Sequence, residues 1–221
     1  MTRRDAAKVL APSLALAMFS ALVSGLFWSA VPDPMPVHWG PGGSPDRFAS
    51  RAFGLSLMPS LGVLLPLFLF GAARMEPRRE HIQRSEGALE WIITGLGAFL
   101  TVVHASMIYA SMSESMTLDT RFVLFAVSGL YVLLGNLMPK FGSNHFIGIR
   151  TPWTLSSDAV WQRTQRVGGL LFVGTGVVTI LLGLLGLDGA LLIAAFLVLT
   201  GITAISPVVY SWVIWREERA D

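Results

Sequence analysis

Histidine is the side chain that changes charge near neutral pH and the commonest nitrogen ligand for metals. Two of the four histidines here sit in informative places. His38 precedes Asp46 by eight residues in a stretch rich in proline and glycine, and His104 lies inside a long apolar run. A histidine and a carboxylate can pass a proton or take two positions on a metal. Metal sites, however, generally use three or four protein ligands, and the chain has no cysteine to add. No HExxH pair, nucleophile elbow or phosphate loop occurs. The expectation is a protein that is not an enzyme and needs no cofactor and no metal. The plainer role for His38 is to pin its loop by hydrogen bonding, with Asp46 paired to Arg47 or Arg51. His104 admits two roles: a neutral histidine bonded to a neighbouring helix, or an ionisable group with a function inside a membrane. If His104 and His38 meet, a pH- or metal-sensitive site results.

The second chemistry-bearing stretch is 135–169. Asn136 closes an apolar run and Pro139 stops it. Asn144, Arg150, Thr151, Trp153 and Trp161 follow, a mixture of aromatic and polar groups suited to a membrane interface. Arg150 can hold an anionic lipid headgroup, a protein acid or a helix C-terminus. Thr151 precedes Pro152 and is therefore held extended, which makes a rigid corner. Thr154, Ser156 or Ser157 can cap a helix whose first turn holds Asp158, and that helix, carrying Trp161, Arg163 and Arg166, runs on into the next span. No acid–base pair is present, so the chemistry on offer is binding.

The elements that must position these residues are membrane helices. Of 221 residues, 53% are hydrophobic and 14% charged, against about 25% charged in soluble domains. The mean hydropathy is +0.61. A spanning helix takes about 20 mostly apolar residues, and six such runs are read at 9–31, 52–73, 89–112, 122–139, 167–187 and 189–215. The first is too long for a signal peptide's h-region of roughly 7–15 residues, so it is expected to be retained. Trp28, Trp91, Trp212 and Trp215 mark interfaces. Thirteen lysines and arginines fall on one side of this arrangement, and only Arg47, Arg51 and Arg121 on the other. Positive residues favour the cytoplasm, which predicts an all-α, six-span helical bundle with both ends in the cytoplasm.

Packing signals accompany the spans. Ser13, Ala17, Ala21, Gly25 and Ser29 stand four apart on the first, a stripe that lets another helix come close. It would serve a homo-oligomer or, by preference, a neighbouring span. The fifth span carries Gly168, Gly169, Gly174, Gly176 and Gly183, and Pro59 and Pro66 interrupt the second. Two units are expected: 1–75, two helices joined by a proline-rich outer loop, and 76–221, four helices with a structured inner loop at 140–166. Five prolines and three glycines between Pro32 and Phe48 forbid a helix there and predict a compact, turn-rich loop.

Gly135-Asn136, Pro139-Lys140, the run from Phe146 to Ser156 (FIGIRTPWTLS), Trp161, Arg166 and Gly168-Gly169 resemble the signature of the SdpI family. These are bacterial membrane immunity proteins against secreted sporulation-delaying-type peptide toxins. Pro36-Val37-His38-Trp39, Gly43 and Pro45-Asp46-Arg47 resemble the small uncharacterised domain that often precedes that signature. Gln165 stands where a histidine is common. The resemblance implies a six-span plasma-membrane protein that protects its host from a membrane-active peptide. In signalling members it also implies capture of a cytoplasmic transcriptional repressor, without direct contact to nucleic acid. The outer candidates for toxin or ligand binding are then His38, Trp39, Asp46, Arg47 and His104. The inner candidates are Asn136, Asn144, Arg150, Thr151, Trp153 and Trp161. The alternative is a small transporter or channel, for which His104, Asn136 and the proline-broken second span speak.

Overall fold

Short polar side chains start most of the helices. In the computed structural model, which describes residues 3–78 and 85–220, Ser50 accepts from the Phe53 amide to open α2 (Arg51–Met75). Asp119 accepts from the Arg121 amide at the start of α4 (Thr120–Leu137). Ser157 accepts from the Val160 amide at the head of α6 (Asp158–Leu184), and Asp188 caps α7 (Gly189–Glu218). Such caps satisfy amides that a helix leaves without partners. α1 (Arg3–Leu26) and α3 (Glu86–Met112) complete six long helices among the described residues, each long and apolar enough to cross a membrane. The fifth span and the helix expected ahead of it are one uninterrupted element, α6. A short helix, α5 (Pro152–Ser156), was not foreseen. Thr151 and Thr154 close it with a reciprocal capping box, and Thr151 is extended as its following proline requires. Of the basic residues counted for orientation, Arg79, Arg84 and the side chains of Arg3 and Arg4 lie outside the described residues.

The loop after α1 holds the fold's strands. β1 (Met35–Trp39) and β2 (Pro45–Ala49) pair antiparallel with irregular register, Met35 opposite Ala49 and His38 opposite Arg47. Pro36 and Pro45 hid this ribbon in the sequence. A two-stranded ribbon has two free edges, so a residue without an N–H can sit in it. Gly43 closes the tip at φ +77°, and its carbonyl accepts from the Leu118 amide at 2.9 Å. The Trp39 indole donates to the Met116 carbonyl at 2.7 Å. Met35, fully buried, packs with Val31, Leu55 and Ile108. The hairpin is thus nailed to the α3–α4 loop and to the ends of α2 and α3. This end of the bundle is called the hairpin end below. The opposite end, with residues 138–157 and the α2 and α7 C-termini, is the loop end.

α1, α2 and α3 pack on one another, α4, α6 and α7 do likewise, and α3 meets α4 between them. Gly135 and Gly169 lie back to back: a Cβ on either would stand 2.5 Å from the other's carbonyl oxygen. On α1 the stripe read at every fourth residue is corrected. Ser13 and Ala17 are buried, with Gly97 facing Ser13 and Gly62 facing Ala17, but Ala21, Gly25 and Ser29 are exposed. A helix turns about 100° per residue, so each step of four drifts by about 40°. The buried seam instead steps through Val9, Ser13, Ala17, Ser20 and Ser24.

Candidate functional site

At the hairpin end, the His38 Nδ1 lies 2.6 Å from an Asp46 carboxylate oxygen, both side chains more than half exposed. Asp46 therefore takes His38, not Arg47 or Arg51, because the ribbon turns them toward each other. The Arg51 amide instead donates to Asp33 at 3.2 Å, and its guanidinium lies over Trp28. Trp39 is engaged in docking the hairpin, while Arg47 is exposed. The Arg121 guanidinium grips Asp119 through both carboxylate oxygens, and these bonds hold the Asp119 carboxyl below its ordinary range.

His104 does not join His38. It is 1% exposed, and its Nε2 lies 2.8 Å from the Ser24 hydroxyl. Ser24 reaches the Leu55 carbonyl at 2.8 Å. That carbonyl is the one Pro59, four residues on and lacking an N–H, cannot serve. With the Ser24 proton on the Leu55 carbonyl, the Ser24 oxygen accepts from His104 Nε2–H and Nδ1 carries no proton. Along the same α1–α3 seam Ser20 donates to Thr101 at 3.2 Å. Among the described residues no group of three or more metal-capable side chains occurs.

The loop end is built around Asn144, which is fully buried. Its oxygen accepts from the amides of Phe146 and Ile147, and its nitrogen donates to the carbonyls of Gly142 and Ile147. Trp161, also fully buried, donates from its indole to the Phe141 carbonyl at 2.8 Å. Gln165 accepts from the Ile149 amide and donates to the Ile149 carbonyl, both at 3.0 Å. Thr151 meets Ser211 of α7 at 3.2 Å. Trp153 faces Trp215, over which Arg219 lies. Arg150 is exposed, one nitrogen donating to the His145 carbonyl. Asn136 turns outward and bonds back to its own helix at Val132.

Sequence reasoning missed the group that ties the two halves together here. Glu76, just past α2, accepts from the His145 ring, from the His145 amide and from the Arg78 amide, all at 3.0–3.1 Å. Arg78 in turn donates to the Ser143 hydroxyl and the Leu155 carbonyl. Burial works against the Glu76 charge, but these bonds outweigh it and hold the carboxyl below its usual value. The available signal was a lone carboxylate between an apolar span and a basic run.

Fold and site together define a polytopic membrane helical bundle whose polar groups bond chiefly to its own helices and loops. Residues 140–211 match the SdpI/YfhL protein family, and residues 15–63 match a domain of unknown function (DUF1648). The chain is 23% identical over 188 residues, 85% of its length and 87% of the relative's, to the "Immunity protein SdpI" of Bacillus subtilis (strain 168). No solved structure matches. The resemblance drawn from the sequence holds: an SdpI-family segment follows that domain in a multi-pass protein of the bacterial plasma membrane.

Proposed function

We propose that this protein is a membrane immunity protein that binds a secreted, membrane-active peptide at its hairpin end and performs no turnover. The carrying observation is the match to an immunity protein over most of both chains, with the two segments in the order expected. The hairpin end then faces outward and the arginine-rich loop end faces the cytoplasm, following the bias of positive charge. Arg150, Arg163 and Arg166 are exposed there and form the surface on which a cytoplasmic repressor would be captured. Expression in a toxin-sensitive bacterium is expected to raise survival against secreted membrane-active peptides, and the absence of any protection would overturn the reading. A transporter or channel is the second reading, supported by the hydroxyl seam between α1 and α3 that ends on His104. Solute flux in liposomes without protection of cells would favour it.

A further inference from the structure

A groove crosses the hairpin end, and none of the candidate binding residues read from the sequence lines it. Its first part, of about 650 Å³, lies between the last turns of α3 and the first turn of α4, with Ala105, Tyr109 and Phe122 as its apolar wall. Its second part, of about 500 Å³, continues over the start of α4 to the α6–α7 turn, where Arg121 and Asp188 line it. The two share Gly42 of the hairpin tip, Leu118 and Asp119. The groove therefore runs from an apolar flank to a polar mouth, and three separate parts of the chain build it.

Depth and charge together select an occupant. Ala105 lies seven residues before Met112, the end of α3, so the apolar part reaches roughly 10 Å along the helix from its end at 1.5 Å per residue. Amphipathic peptides bury their apolar face about 5–10 Å into the headgroup boundary, which is the depth this flank offers. Tyr109 and Phe122 present large aromatic surface there, 74% and 54% exposed within the chain. The hairpin end as a whole carries five carboxylates (Asp33, Asp46, Glu114, Asp119, Asp188) against three guanidiniums (Arg47, Arg51, Arg121). An anionic headgroup is disfavoured by that balance, and a cationic segment is attracted.

We propose that this groove binds a cationic amphipathic peptide segment lying in the membrane interface. The apolar face packs on Tyr109 and Phe122, and a basic side chain reaches Asp188, since Arg121 already holds both oxygens of Asp119. The proposal deepens the immunity reading and rests on it for the peptide's being a toxin.

The full chain in phosphatidylcholine nanodiscs, titrated with a fluorescein-labelled amphipathic helix of leucine and lysine, tests it. Binding above that of empty discs is expected. Ser106→Trp, at the groove wall, should weaken binding at least about tenfold, and Ala105→Leu should weaken it less. Asp188→Asn keeps a good helix cap while removing the charge, and should weaken binding severalfold. The matching peptide of leucine and glutamate should not bind. Equal binding of both peptides, no binding above empty discs, or full binding by a folded Ser106→Trp protein overturns the assignment. So does stoichiometric phospholipid that co-purifies with the native chain and is lost from Ser106→Trp. If the groove binds the probe but expressing cells gain no protection, the immunity reading falls and the groove stands. If cells are protected equally by Ser106→Trp, the groove falls and immunity stands.

Discussion

Two buried polar residues show how much of this protein's polar chemistry is spent on structure. Pro59 leaves the Leu55 carbonyl without its helical donor, Ser24 supplies one from another helix, and His104 completes the shell of Ser24. Ser24→Ala should cost about 1–3 kcal/mol of thermal stability, the penalty for stranding a buried acceptor. In a Pro59→Ala background the restored amide can serve Leu55, so the same substitution should cost less. A double-mutant cycle in detergent measures that coupling, and strict additivity would refute the link. Glu76 lends itself to a pH test. Its carboxyl sits below the ordinary value of 4.5 in the folded chain. The stability it adds is fully present above that ordinary value and disappears as pH falls through the lower, folded one. Acid unfolding should thus include a component lost in Glu76→Gln, which should also be less stable at neutral pH. Identical acid profiles for the two proteins would remove Glu76 from the clasp.

Element by element, legibility in the sequence followed the length scale of each signal. The long apolar runs and Ser157, one of three capping candidates, were readable because both are local, whereas the caps Asp119 and Asp188 emerged only with the structure. The extended Thr151 was readable from its proline. The hairpin was not, because prolines in both strands break the usual alternation and its stability comes from Trp39 and Gly43 docking on a loop distant in sequence. The α1 stripe misled for a geometric reason: spacing by four matches a helix only over two turns. Asn144, Trp161 and, by resemblance, Gln165 stood out as residues, but their roles as bonds to Gly142, Phe141 and Ile149 backbone needed the fold. The glycine pair gives this scale its prediction. Gly169→Ala places a methyl against the Gly135 carbonyl, so α4 and α6 must separate. A loss of about 1–3 kcal/mol is expected from such overpacking, while Gly174→Ala, whose Cβ would meet nothing within 4 Å, should be neutral or mildly stabilising. Equal melting temperatures for the two variants would contradict the close helix approach.

For the molecule as a whole, the open quantity is which end faces the cytoplasm, and every proposed interaction depends on it. A peptide arriving from outside can reach the groove only if the hairpin is outside, and a cytoplasmic repressor can reach Arg150 only if the loop end is inside. The chain has no cysteine, so one introduced thiol reports its own location without background. Arg47→Cys on β2 and Arg150→Cys ahead of α5 replace exposed side chains at opposite ends. Neither change alters the other's surroundings. In intact cells a membrane-impermeant maleimide should label residue 47 and spare residue 150, and both should label once the membrane is opened. The basic bias makes the same forecast independently: adding lysines to the α3–α4 loop should weaken or invert the orientation, since topology follows positive charge in short loops. Labelling of residue 150 alone in intact cells would turn the bundle over, place the groove in the cytoplasm, and end both the immunity surface and the repressor surface at once.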